Sequence, residues 1–449
     1  MRALTWSRNN YVYWSQKKRR WIVYNSASGA IASLDRANYA QLIRLKDRPE
    51  LVDNYSNSEE LIQAQILVPD DDLAAEKTRS AVLHNRLSTD VLHLTIAPTL
   101  ACNFGCAYCF QRQLPKQTMT GQTEDSLIRF IRKTASNAHR LTISWFGGEP
   151  LLAMGRIKSI YRRVKEEIGL PVDSHVTTNG YLLDEAAATT LRDLGVSSYQ
   201  VTIDGLRRTH DRRRPLLNGR GTFETILRNV KQLTRLDKNA KVSIRMNVDA
   251  HNASEYHRLF DYVRRFLGSD RISVHPGFVD NYTLACSSTE SCMLDRPAQA
   301  EFYIDQYKRY GIYGDWFYPK VTHGNCMARY VNSFVVGPKG ELYKCLAAVG
   351  MGSMSIGDVN NPGNAITDEG LMSEFLRGND YLDSPTCRQC ALFPVCDGGC
   401  PFLKLREKIV GEPHDNCMAA KGYMAEFLDS HIDWKYRTDR HSLEGRHRP

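Results

Sequence analysis

The chain has 449 residues, 42% hydrophobic and 24% charged, with 59 basic against 50 acidic side chains and a net charge of +9. That length supports two or three domains with their own cores, and no apolar run reaches the length of a membrane span. The start, MRALTWSRNNYVYW, lacks the apolar centre of a secretory signal, so the cytoplasm is the expected compartment, and twelve cysteines there point to metal or redox chemistry rather than disulfides.

Residues 1–80 open with three β-type runs, YVYW, RWIVYN and GAIASLD, followed by two helical patterns, RANYAQLIRLK and SEELIQAQILV. Ser33-Leu34-Asp35 supplies cap chemistry before the first helix. Strands followed by helices predict a small winged-helix-like module, and PDDDLAAEKTRS reads as a charged linker. Over residues 90–315 strands alternate with amphipathic helices: VLHLTIA, LTISWF, SHVTT, YQVTID, VSIRMNV and ISVHPGFV, separated by patterns such as EDSLIRFIRKTA and FETILRNVKQLTRL. Six β/α units predict an α/β fold with a parallel sheet, a partial TIM-like (β/α)6 barrel, because parallel strands need helical crossovers. From 320 to 425 the rhythm fades and cysteines return; 426–449 reads as a basic tail. The basic runs KKRR, RRTHDRRR and RHSLEGRHRP carry no interleaved stacking aromatics. They read as solvated faces, or as a surface for an acidic peptide, rather than a nucleic-acid site.

LACNFGCAYCF places Cys102, Cys106 and Cys109 just after the first barrel strand, at the C-terminal mouth where barrel active sites sit. Half a zinc site, structural thiols and an iron–sulfur cluster all take cysteines. A 4Fe–4S cubane held at three corners keeps one iron open, and the C-x3-C-x2-C spacing at this position favours it.

With WFGGEP, TTNG, VTIDG and HDRRR at later strand ends, the sequence resembles the radical S-adenosylmethionine (SAM) superfamily. The resemblance implies that SAM caps the open iron and that one electron splits it to a 5′-deoxyadenosyl radical. It further implies that Gly147, Gly148 and Glu149 receive the SAM ammonium, that Asn179, Thr202 and Asp204 touch its ribose and methionine parts, that Arg214 meets its carboxylate and that the Tyr108 backbone meets adenine. The later string, Cys326-x13-Gly340-x4-Cys345, then Cys387, Cys390, Cys396, Cys400 and Cys417, could by itself be a zinc knuckle. As a whole it resembles a SPASM domain with two auxiliary iron–sulfur clusters. The family's connectivity implies an inner cluster on Cys326, Cys345 and Cys400 and an outer one on Cys387, Cys390, Cys396 and Cys417. The inner set lacks a fourth cysteine, leaving an open iron or a ligand such as His323 or Cys292, while Cys286 reads as an ordinary thiol.

Two SPASM subfamilies compete. Anaerobic sulfatase-maturating enzymes carry an aspartate where this chain has Leu346. Maturases of ribosomally made peptides often carry an N-terminal leader-recognition (RRE) module, which residues 1–80 resemble. The expectation is therefore a peptide maturase that abstracts hydrogen and closes an intramolecular crosslink. Its partners would be a precursor peptide and a low-potential donor such as flavodoxin or ferredoxin, with no membrane or nucleic acid. A zinc-bound scaffold protein is the alternative from another class.

Overall fold

The computed structural model describes residues 4–280, 292–411 and 413–444. Cys286 lies outside the described residues. Contacts divide the chain into two compact units, one of residues 1–86, 295–326 and 379–449, the other of residues 87–294 and 327–378. The segment expected as SPASM, 320–425, is shared between both.

The first unit begins with β1 (Thr5–Trp6), β2 (Asn10–Ser15), β3 (Arg20–Asn25), β4 (Ile31–Leu34), α1 (Arg36–Asp47), α2 (Ser58–Gln63), β5 (Leu67–Val68) and α3 (Asp71–Leu87). Strands β2, β3 and β4 form an antiparallel sheet, and β1 pairs with β5. Asp35 caps α1 by accepting from the Asn38 N–H at 2.8 Å. Val23 of the sheet packs with Leu42 and Leu45 of α1 and with Leu67. The supposed linker is instead helix α3. Asp70 accepts from the N–H groups of Asp72 and Leu73, and acids in a first turn suit the helix dipole. The acids of that stretch form an N-terminal cap. Ala75, Val82 and Arg86 form its buried face, and Arg86 pairs with buried Asp380 at 2.6 Å.

The second unit holds β6 (Val91–Ile96), α4 (Gly121–Thr134), β7 (Arg140–Trp145), α5 (Met154–Glu167), β8 (Val172–Thr178), α6 (Glu185–Asp193), β9 (Val196–Thr202), α7 (Arg207–Arg213), α8 (Phe223–Leu236), β10 (Lys241–Val248), α9 (Tyr256–Leu267) and β11 (Ile272–Phe278). The six strands run parallel in the order β11-β10-β9-β8-β7-β6. After α10 (Arg296–Tyr310) in the first unit, the chain adds β12 (Ser333–Val336) parallel to β6, then β13 (Glu341–Tyr343) and β14 (Gly357–Asp358), both antiparallel.

The alternation along β10 explains the architecture. Val242, Ile244, Met246 and Val248 are buried, whereas Ser243, Arg245 and Asn247 are only half-buried. On β7, β8, β9 and β11 the same alternation leaves Ser144, His175, Gln200 and His275 half-buried. A parallel sheet packed on both sides would be apolar throughout; this one keeps a polar face for ligands. Helices such as α8, with Phe223, Ile226, Leu227, Val230 and Leu233 buried at helical spacing, supply apolar cover.

The chain continues with α11 (Glu369–Arg377) and ends with α12 (Pro385–Arg388), α13 (Pro401–Val410) and α14 (Met424–Glu444). The expected tail is thus largely helix. Its Phe427 and Leu428 are buried with Ala300, Ile304 and Tyr307 of α10, an apolar stripe hidden among the charges of a basic sequence. No helix among the described residues is long and apolar enough to cross a membrane.

Candidate active site

Strand β6 feeds the cysteine loop, and the glycines ending β7 determine where that loop can lie. Gly148 N–H donates to the Thr99 carbonyl at 3.1 Å and Glu149 N–H to the Ala101 carbonyl at 2.8 Å. A Cβ on Gly148 would stand 2.5 Å from the Leu100 carbonyl oxygen and closer still to that of Ala101. Gly147 adds a φ of +132°, which side-chain-bearing residues avoid. Two bare residues therefore let one backbone lie flat on the segment that leads into Cys102. On the other side, Gly105 N–H donates to the Pro215 carbonyl at 2.8 Å and Leu217 N–H to the Asn103 carbonyl at 3.0 Å. Phe104 N–H points at the Cys102 sulfur at 3.4 Å. Asn179, at the end of β8, donates to Asn103 Oδ1 at 2.8 Å, with its amide nitrogen 4.0 Å from the Cys102 sulfur.

The two carboxylates expected to touch SAM are sealed. Glu149 is 0% exposed and accepts from Leu151 N–H, the Thr178 hydroxyl and Asn179 N–H. Burial raises its pKa, and those donors pull it back. Through Thr178 and Asn179 it ties the end of β7 to the end of β8. Asp204 is also 0% exposed. It accepts from the Tyr108 hydroxyl and from Asn247 N–H, and Arg213 Nε lies 3.5 Å away. The Tyr108 phenol is a hub that also accepts from Arg214 at 2.6 Å and Asn247 at 3.1 Å. Burial pushes its pKa well up, so it keeps the proton it donates to Asp204. Thr202 is buried at the end of β9.

His210, Asp211 and Arg214 divide the labour of HDRRR. The fully buried His210 accepts from Asp204 N–H on Nδ1 at 3.1 Å, so its proton sits on Nε2, facing the Thr222 hydroxyl at 3.0 Å. Thr222 in turn donates to the Arg214 carbonyl at 2.8 Å. Asp211 accepts from the N–H groups of Thr222 and Phe223 and so starts α8. Burial, then Arg214 and Arg213, depress the His210 pKa well below its usual value. The unfolded chain binds this proton below about pH 6.5 and the folded one does not. Neutral His210 thus contributes stability that is present above that pH and lost progressively as pH falls below it. Urea midpoints between pH 7.5 and 5.5 should fall more steeply for the native chain than for His210→Asn; equal slopes would contradict this.

The residues present fit SAM and a cubane. Arg214 is 8% exposed, yet its Nε is buried with no acceptor among the described residues, a donor available to a carboxylate. Three thiols share one loop, and burial lifts that of Cys106 to about 11. Among the described residues no three His, Cys, Asp or Glu side chains gather on a single metal ion; a cubane instead takes one thiolate per iron. In the first unit, Cys387 and Cys390 lie close enough to Cys396 to act on its charge, and Lys421 feels Cys417, Cys390 and Cys387. Burial, then Cys387 and Cys390, raise the Cys396 thiol, again to about 11. Lys421, unforeseen in the sequence, donates to the Cys417 sulfur at 3.3 Å. Cys326 and Cys400 belong to the first unit; Cys345 and Cys292 belong to the second. The His323 carbonyl accepts from Asn85 at 3.0 Å.

Residues 96–263 match the Radical SAM superfamily model. The barrel is a radical SAM domain. Its cofactors are accordingly SAM and a 4Fe–4S cluster, and the chain is a radical SAM enzyme. The chain is 27% identical over 345 residues to the serine-type anaerobic sulfatase-maturating enzyme of Klebsiella aerogenes, covering 73% of this chain and 82% of that protein. In fold it is similar to anSMEcpe with bound AdoMet and the Cp18Cys peptide, with a TM-score of 0.60 at 18% identity, covering 78% of this chain and 99% of that one. It is also similar to Streptococcus suis SuiB bound to precursor peptide SuiA, with a TM-score of 0.52 at 15% identity, covering 93% and 99%. The radical SAM domain thus has relatives among both sulfatase-maturating and peptide-modifying enzymes.

Proposed function

We propose that this radical SAM enzyme matures a ribosomally made precursor peptide in the cytoplasm, closing an intramolecular crosslink. The observation that carries this reading is the N-terminal sheet, whose strand β4 pairs, among the described residues, with β3 alone and leaves an edge on which a leader could add as a further strand. Two further facts support it. The likeness to SuiB spans 93% of the chain against 78% for anSMEcpe. Position 346 carries a hydrocarbon, Leu346, where a sulfatase maturase needs a proton acceptor. The identity to sulfatase-maturating enzymes keeps that activity as the second reading.

In this reading Cys102, Cys106 and Cys109 hold the cluster, and Arg214 clamps the SAM carboxylate. Asn179, Thr202, Gly147, Gly148 and the Tyr108 backbone shape its pocket, with Glu149 and Asp204 bracing them. When bound, the cluster supplies one electron that cleaves SAM to the hydrogen-abstracting 5′-deoxyadenosyl radical. The sealed barrel wall keeps water from that reaction. Cys387, Cys390, Cys396 and Cys417 would hold an auxiliary cluster, which would supply a one-electron acceptor for the closure of the crosslink. A flavodoxin or ferredoxin would restore the reducing electron.

Register gives a test of the leader edge. Asn25 N–H bonds to the Ala30 carbonyl, so alternation places Val23/Ala32 in the next bonded pair and turns the N–H of Ser33 outward. Ser33→Pro removes that donor without breaking the ladder. The variant should bind the leader about 3- to 10-fold more weakly, on the order of 1 kcal/mol, by calorimetry; unchanged affinity would contradict this docking. Co-expression with any short leader-plus-core peptide encoded beside the gene should yield a product lacking two hydrogens. Conversion of a sulfatase serine or cysteine to formylglycine would establish the second reading.

A further inference from the structure

The polar face of the parallel sheet carries a cation that the site described above leaves unused. Arg245 lies on β10 between Ser243 and Asn247, all three half-buried and alternating with the buried Val242, Ile244, Met246 and Val248. In register it stands between Thr202 of β9 and His275 of β11. Residues paired across neighbouring strands share a face, so Arg245 looks the same way as Thr202.

Two features fix its guanidinium. Its Nε donates to Asn247 Oδ1 at 2.8 Å, and the Asn247 amide donates to the Tyr108 hydroxyl at 3.1 Å, which ties it to the cysteine loop. On β11 the partner of Asn247 is Gly277. A Cβ there would stand 2.5 Å from Arg245 Nε and closer still to the guanidinium carbon, so the guanidinium fills the space a side chain would take. Glycine weakens a strand interior and marks a close approach; an arginine serving only as solvated surface needs no bare strand beneath it.

The two terminal nitrogens of Arg245 meet no carboxylate and no other acceptor among the described residues. Arg213, by contrast, is matched by Asp249 at 2.7 Å and Asp204 at 3.5 Å. Burial, then Arg245, lower the pKa of His275, whose Nδ1 faces the Ser243 hydroxyl at 2.9 Å. His275 therefore stays neutral near pH 7 and neither adds to that charge nor offsets it. A guanidinium held at Nε and open at its other nitrogens presents a planar pair of donors, the geometry that takes a carboxylate.

We propose that Arg245 anchors a carboxylate of the substrate peptide, either an acidic side chain of its core segment or its C-terminus. The inference deepens the peptide-maturase reading and rests on it. Arg214 is already assigned to the SAM carboxylate, so the open fork is left for the second ligand. A peptide held there lies along the sheet face that carries Thr202 and Asn247, beside Tyr108 of the cysteine loop.

The test uses reconstituted enzyme, SAM and the leader-plus-core peptide encoded beside the gene. The peptide is synthesised unchanged, with its core Asp and Glu replaced by Asn and Gln, or with its C-terminus amidated. With the native chain one neutralised form should show a KM raised about 10- to 100-fold, the effect of losing a charge-assisted pair, and that form identifies the carboxylate. Arg245→Gln should raise the KM of the unchanged peptide by a similar factor and no longer respond to the neutralisation, with SAM affinity by calorimetry unchanged. Gly277→Ala keeps the arginine but pushes its flexible end aside; Gly277 has no positive φ, so the fold should persist and the variant should behave like Arg245→Gln. Equal KM for every peptide form with the native chain would overturn the proposal, as would a native KM in Arg245→Gln. A loss confined to SAM affinity would also overturn it, assigning the fork to the cofactor. If the native chain modifies none of the peptides, the maturase reading itself falls.

Discussion

Gly148→Ala should leave a protein that folds poorly and builds no working cluster. The added methyl would enter the space of two carbonyl oxygens, those of Leu100 and Ala101, rather than that of a flexible side chain. Backbone cannot swing aside, so either the β7 end or the cysteine loop must shift. Overpacking of this kind costs about 3 kcal/mol, and for a unit of this size lowers the melting temperature by about 6–12 °C. The displacement also separates Glu149 N–H from the Ala101 carbonyl and moves Cys102 with it. Calorimetry and iron content after anoxic reconstitution check both effects. A variant with native stability and full iron would show that the glycines serve ligand approach alone.

Cys106→Ala should abolish SAM cleavage outright while leaving the fold intact. Cys106 is the buried member of the three, 8% exposed, so its loss leaves a small apolar gap rather than an unpaired charge. With two ligands in place of three, the site-differentiated cubane loses an anchor, and iron per chain should fall by about one cluster's worth, four atoms. The auxiliary sets share no cysteine with this loop, so their iron should persist.

Much of the site was legible because chemistry and period coincide. The six barrel strands announce themselves by alternation, and the C-x3-C-x2-C spacing lies within one short loop. Local sequence failed where contacts cross long separations. Nothing near Tyr108 in sequence reveals that its phenol meets Asp204, Arg214 and Asn247, which lie 96 to 139 residues away. The link from His210 through Thr222 to Arg214 and the contact of Lys421 with Cys417 are shorter in sequence, but they depend on side-chain directions that no periodicity reveals. Helices α3 and α14 were missed because abundant charge masks a narrow apolar stripe; Ala75 with Val82, and Phe427 with Leu428, are buried only by tertiary partners. Glu149 and Asp204 show a subtler gap: their positions were anticipated, but their closure against solvent depends on neighbouring strands.

The most direct test of the central claim is electron paramagnetic resonance of anoxically reconstituted, dithionite-reduced enzyme before and after addition of SAM, on the native chain and on Cys106→Ala. The account predicts a reduced-cluster signal that changes shape when SAM is added, present in the native chain and missing from the variant. A signal indifferent to SAM, or one equally responsive without Cys106, would contradict it.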